Sequence, residues 1–191
     1  GNGTDTVHDF NSGYSSASDE VIISDLNAIE FDAGYSDLVM SSGEAKLTFS
    51  NMRKGAEVTT LPESADLATV NDGSYRVKLN DGTATYNAAI TQAGRNIIVA
   101  QGDTANVFYG KDSGVNFSEY TGAIAVNLND GNGNVGGSSA QFKGINKLTG
   151  GAGSSTLIGA SEASNTLTAG SGDGVIWSGS GADLMVGNTD E

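Results

Sequence analysis

A nine-residue period constrains this chain more than any other feature. Leu148, Leu157, Leu167, Ile176 and Met185 follow one another at spacings of nine, ten, nine and nine. Four residues ahead of each stand Gly144, Gly153, Ala163, Gly172 and Gly181, and six ahead stand Phe142, Gly151, Ser161, Gly170 and Gly179. Two ahead stand Asn146, Ser155, Asn165, Gly174 and Asp183. A unit this short cannot hold a helical hairpin, and glycine at this density weakens helix interiors. It fits a short strand and a tight turn, stacked rung on rung. On that reading one apolar side chain per rung points inward and lies on those above and below, while the glycines take positive φ in the turns. Rungs would lie about 4.8 Å apart, and several must stack before a core exists. Gly1, Gly3, Asp5 and Val7 fit the same template at the start of the chain.

Composition narrows the function. The 191 residues suggest one domain, or two small ones sharing a core. Twenty-eight glycines against the single Pro62 point to many tight turns between short strands. The net charge is −14, which disfavours nucleic-acid phosphates and anionic lipid surfaces and favours cations. No Lys or Arg precedes Lys46 or follows Lys147, so both ends are acidic. Cysteine is absent and His8 is the only histidine, which excludes disulfides, thiolate chemistry and a histidine-rich zinc site within one chain. No apolar run approaches the length of a membrane span, so no membrane insertion is expected. Gly1 opens within a motif, so the sequence reads as a piece of something longer.

The middle of the chain reads as β-hairpins. Leu38 to Met40 and Leu47 to Phe49 flank a turn at Ser41-Ser42-Gly43-Glu44. Asn-Asp-Gly stands at 71–73, 80–82 and 129–131, and Asp-Gly between strands is a strong hairpin signal. Tyr86 to Gly94 reads equally well as a short helix or a strand. The fold class expected is therefore all-β: a glycine-rich β-solenoid or β-roll with flanking β-hairpins. Residues 1–95 form the hairpin-bearing flank and residues 96–191 the repeat solenoid, the two making one continuous module of a tandem array.

Gly150-Gly151-Ala152-Gly153-Ser154-Ser155-Thr156-Leu157 and Gly179-Ser180-Gly181-Ala182-Asp183-Leu184-Met185 resemble the RTX family, the hemolysin-type calcium-binding repeats of pattern G-G-x-G-x-D-x-(L/I/V)-x. Gly1 to Phe10, followed by Asp19-Glu20-Val21-Ile22, resembles that family's flanking element. The resemblance implies a module of a large protein secreted by a bacterium and an extracellular or cell-surface setting. It also implies calcium held between turns by carbonyls and the repeat Asp. Calcium takes six to eight oxygen ligands, yet only Asp183 keeps the carboxylate in the C-terminal series. Few calcium sites are therefore expected, with Asp5 and Asp183 as ligands and Asp9 and Asp190 beside them. The function that follows is a structural, non-enzymatic module of a surface fibre or adhesin, its partners being neighbouring copies stacked head to tail. The alternatives are a calcium-dependent RTX module, a carbohydrate-binding adhesin domain that meets host or cell-surface glycans, and a non-catalytic part of a secreted hydrolase.

Other motifs carry less. Gly131-Asn-Gly133-Asn-Val-Gly136 spells G-x-G-x-x-G, but no helix is expected after it, so a dinucleotide loop is not supported. His8, beside Asp5 and Asp9, reads as an ordinary surface histidine. Trp177 and the tyrosines Tyr14, Tyr35, Tyr75, Tyr86, Tyr109 and Tyr120 would stack on sugars only if gathered on one face; scattered, they read as core or interface. No pair of carboxylates stands out as a glycosidase pair.

Overall fold

The computed structural model describes residues 4–7, 19–23, 25–34, 37–50 and 74–188. The strands are β1 (Thr4–Val7), β2 (Glu20–Ile22), β3 (Glu30–Ala33), β4 (Leu38–Ser42), β5 (Ala45–Phe49), β6 (Tyr75–Asn80), β7 (Thr85–Ile90) and β8 (Asn96–Ile98). They continue with β9 (Val107–Asn116), β10 (Ile124–Asn127), β11 (Asn132–Val135), β12 (Ser138–Thr149), β13 (Ser155–Ile158), β14 (Thr166–Thr168), β15 (Gly174–Trp177) and β16 (Leu184–Val186). A single turn of 3₁₀ helix, Leu26–Ala28, is capped by the Asp25 carboxylate, which accepts the Asn27 N–H at 2.9 Å.

Strands β1, β5, β4 and β3 lie side by side in a four-stranded sheet. The remaining twelve form a second sheet, whose main path runs β15-β13-β10-β11-β12-β9-β7-β6-β2. Strand β14 joins that sheet between β12 and β16, and β8 joins it against β9. The turns that link β4 to β5, β6 to β7 and β10 to β11 are antiparallel hairpins, placed by Gly43, Asp81-Gly82 and Asp130-Gly131. Tyr86 to Ile90, ambiguous in sequence, is strand.

Side-chain alternation then sorts residues between two cores. Strand β6 turns Tyr75, Val77 and Leu79 inward and leaves Arg76, Lys78 and Asn80 partly wet, as a period of two requires. In the middle of the sheet both faces are covered. Ala88, Val107 and Tyr109 belong to one core, with Leu38, Phe49 and Leu79. Their neighbours Ala89 and Phe108 belong to the other, with Phe117, Phe142, Leu148, Leu157 and Leu167. Phe108 stacks on Phe142 at 4.9 Å and meets Phe117 edge-on at 6.0 Å. A strand packed on both faces reads as an unbroken apolar run, which explains Val107-Phe108-Tyr109.

The architecture corrects the solenoid. An iterated solenoid needs every neighbour parallel and in one constant register. Here parallel and antiparallel pairs are mixed within one sheet, and β12 by itself pairs with β11 antiparallel and with β9 and β14 parallel. The repeats do not stack in order either. Leu148 lies opposite Leu167, and Leu167 opposite Met185, while Leu157 lies opposite Val126 and Ile176. Consecutive repeats thus sit in different rows. The reading as a degenerate RTX module falls with the mixed pairing and complex order of the large sheet, and so does that of a fibre or adhesin unit. The expected partners, further copies joined head to tail, fall too, because the fold is not one unit iterated.

The glycines of the repeat have a different cause from the one expected. Positive φ is found at Gly43, Gly82, Gly131 and Gly144 among others, but of the repeat glycines between 150 and 187 only at Gly179. What Gly170 and Gly181 require is room. A Cβ on Gly170 would meet the Gly151 carbonyl oxygen at 1.9 Å, and one on Gly181 that of Ala163 at 1.7 Å. The turns lie backbone against backbone, and any side chain would separate them.

Burial ranks the repeat positions. Leu157 is fully buried, whereas Met185 is 54% exposed at the sheet's edge. Leu157→Ala is expected to cost roughly 2–5 kcal/mol, and Met185→Ala less than about 0.5 kcal/mol. Urea denaturation of the two variants measures both.

Candidate functional site

A cleft lies where β3 of the small sheet crosses β9 and β12 of the large one. It encloses about 610 Å³ and is lined by Glu30, Phe31 and Asp32 from β3, Tyr109 to Asp112 from β9, and Lys143-Gly144 from β12. Ser41, which faces Glu30 in the β3–β4 register, completes the rim.

The backbone makes the cleft by breaking two strands at the same level. In β9 the pair Lys111-Asp112 is exposed between buried Gly110 and buried Ser113, and Asp112 has φ of 51°. The Ser113 hydroxyl accepts the Lys111 N–H at 3.0 Å and lies 3.1 Å from the Gln92 carbonyl oxygen. In β12 the register against β9 slips between Lys143 and Ile145 and again between Ile145 and Lys147. Gly144 has φ of 66°, and a Cβ there would sit 2.0 Å from the Gly110 carbonyl oxygen. Such bulges twist a strand and redirect its side chains, here opening the mouth of the cleft.

Glu30 closes the site. One carboxylate oxygen accepts the Tyr109 hydroxyl at 2.8 Å, and the other accepts the Lys143 ammonium at 3.2 Å. Lys143 also donates to the Ile29 carbonyl at 3.0 Å and lies 5.4 Å from the centre of the Tyr109 ring. Phe31 meets that ring edge-on at 4.9 Å. The Tyr109 hydroxyl and the Lys143 pair hold the Glu30 carboxyl below its usual range. Burial, then the hydrogen bond to Glu30 and the charges of Glu30 and Asp32, push Tyr109 up to about 12 against an opposing backbone hydrogen bond at Phe31. Both groups therefore keep their neutral-pH forms more firmly than free side chains would.

Two other polar clusters are structural. Asp81 accepts the Thr83 hydroxyl, the Thr83 and Ala84 N–H groups and the Tyr86 hydroxyl, all within 2.9 Å, which fixes the β6–β7 turn and lowers its carboxyl. Arg76 pairs with Asp103 at 3.1 Å and donates to the Ile98 carbonyl, tying β6 to the approach to β9.

Of the expected calcium ligands, Asp5 and Asp183 fall among the described residues. Asp9 and Asp190 lie outside the described residues, as do His8, Tyr14 and Tyr35. Asp5 lies on β1 in the small sheet, opposite Leu47, while Asp183 precedes β16 in the large one. One Asp183 oxygen accepts both the N–H and the side-chain amide of Asn165, at 2.8 and 2.9 Å. Its other oxygen is buried with no hydrogen-bond partner among the described residues. Among the described residues no three His, Asp or Glu side chains cluster as a metal would need. Among the described residues the aromatics form no common platform: Tyr75 and Tyr109 are buried, and Trp177 stands exposed on β15. The G-x-G-x-x-G segment is the hairpin strand β11 with its flanking turns.

Sequence reasoning missed Glu30 and Lys143 altogether and met Tyr109 only as one aromatic among several. The available signal was Lys111-Asp112, two charges interrupting the apolar run from Val107 to Val115. Comparison of the chain with protein-family models, curated proteins and solved structures finds no match. The likeness to the RTX repeat is thus confined to short glycine motifs.

The Glu30 clamp carries a pH signature. Its carboxyl is depressed on folding, so its contribution is present above the unfolded value near 4.5 and is lost as pH falls through the lower folded value. The melting temperatures of the wild type and Glu30→Gln are expected to differ at pH 7 and to converge below about pH 3. Thermal melts across that range measure the convergence.

Proposed function

We propose that this chain is a non-enzymatic binding domain whose cleft between β3, β9 and β12 takes a small dipolar ligand, of the class of an amino acid or a short peptide end. The observation that carries this is the division of charge within the cleft. Glu30 and Lys143 already satisfy each other. The side chains of Lys111, Asp32 and Asp112 line the same space and make no hydrogen bond or ion pair among the described residues. A ligand carboxylate would be received by Lys111, and a ligand ammonium by Asp112 or Asp32, over the edges of Phe31 and Tyr109. Small-molecule sites are typically concave spaces of this size with a few placed polar groups.

Binding rather than turnover is supported by the direction of the two shifts. General acid–base work needs groups brought toward neutrality, whereas Glu30 is held ionised and Tyr109 is held protonated. Titration of the labelled chain with free amino acids and dipeptides, followed by amide chemical shifts, tests the reading. Shifts should centre on Gly110 to Asp112 and on Gly144. Lys111→Ala, at an exposed position, should weaken binding about tenfold without loss of fold, the loss of one charge-assisted hydrogen bond. Shifts elsewhere, or chemical conversion of the ligand, would contradict it.

A further inference from the structure

The cleft between β3, β9 and β12 is unevenly charged. Its lining holds three carboxylates, Glu30, Asp32 and Asp112, against two ammonium groups, Lys111 and Lys143. Glu30 and Lys143 neutralise each other at 3.2 Å. Asp32, Asp112 and Lys111 are exposed, and their side chains make no hydrogen bond or ion pair among the described residues. What the cleft offers a ligand is thus two carboxylates and one ammonium. An amino acid with a neutral side chain brings one charge of each sign, which leaves one carboxylate over.

The three groups come from two places. Lys111 and Asp112 are chain neighbours, and neighbours in a regular strand point to opposite faces. The left-handed backbone of Asp112, with φ of 51°, breaks that alternation, and both side chains line the one cleft. The ammonium and carboxylate of an α-amino acid sit on one carbon, so the groups that receive them must also be close together. Lys111 and Asp112 meet that need. Asp32 belongs to β3 in the other sheet. After burial and Glu30, its charge helps hold the Tyr109 hydroxyl protonated, which places it toward the Tyr109 end of the cleft. A neutral side chain laid there would strip water from an unpaired carboxylate, at a cost. A cationic one would pair with it.

We propose that the ligand is a free amino acid with a cationic side chain, of the class of lysine, ornithine or arginine, and that Asp32 selects it. This rests on the reading of the cleft as an amino-acid site and narrows it. Lys111 takes the α-carboxylate, Asp112 the α-ammonium and Asp32 the side-chain cation. The net charge of −14 adds a long-range attraction for such a ligand over a neutral or acidic one.

The probes are L-lysine, L-norleucine, which has the same carbon chain without the side-chain ammonium, and Nε-acetyl-lysine, which keeps the chain and loses the charge. Calorimetric titration of the wild type should give lysine an affinity about tenfold above both neutral probes, the worth of one charge-assisted hydrogen bond. Asp32→Asn keeps the shape of the side chain at an exposed position, and in it the ratio of lysine to norleucine affinity should fall to about one. Lys111→Ala should instead weaken lysine and norleucine together, since both carry the α-carboxylate. Should Asp32→Asn fail to fold, the wild-type comparison with the two neutral probes decides alone. Norleucine bound as tightly as lysine by the wild type, or a lysine preference that survives in folded Asp32→Asn, would overturn this inference and leave the amino-acid cleft standing. Neither ligand shifting the amides of Gly110 to Asp112 would overturn both.

Discussion

The close approach of Gly110 to Gly144 is the contact on which the rest of the fold depends. It joins the two longest strands, β9 and β12, at the point where both change register. Before the break, β9 pairs with β7 and carries Phe108 and Tyr109 into opposite cores; after it, β9 pairs with β8 and carries Val115 inward. Strand β12 passes from a hairpin with β11 to parallel pairing with β14 across the same point. A straight pair of strands would keep one set of neighbours. The bulged pair has two, so both cores can be built on a single sheet.

The cleft follows from the same break. Lys111 and Asp112 are forced out of a strand that is otherwise buried, and Gly144 leaves its ladder next to Lys143. The small sheet can then be clamped through Glu30 over the gap. The clamp is partly wet, with the Glu30 side chain 68% exposed and that of Lys143 42%. Screening makes such pairs weak stabilisers. The buried Tyr109 ring and its contact with Phe31 hold the sheets in place, and the charges orient them.

What could be read from the sequence was local. The hairpin turns at Gly43, Asp81-Gly82 and Asp130-Gly131 are written in neighbouring residues, because a two-residue reversal needs particular side chains at once. The nine-residue period was visible too, but not its stacking. Leu157 could equally have lain on Leu148 or on Val126, and only the turn contacts between glycines such as Gly151 and Gly170 decide. The pairing of β9 with β12 left no mark that periodicity detects, because bulges at 110–113 and 143–147 break the alternation on both strands. Glu30 and Tyr109 are 79 residues apart in sequence, and nothing near either one points to the other.

The direct test is a pair of alanine substitutions. Gly144 and Gly137 both have left-handed backbone, with φ of 66° and 91°, but a Cβ on Gly137 meets nothing within 4 Å whereas one on Gly144 strikes the Gly110 carbonyl. Gly137→Ala should lose only the backbone preference, about 1–2 kcal/mol. Gly144→Ala should lose that and the β9–β12 contact as well, at least about 3 kcal/mol in all, with the Tyr109 and Phe142 environments disturbed together in the near-ultraviolet spectrum. Equal stability of the two variants under urea denaturation would contradict the account.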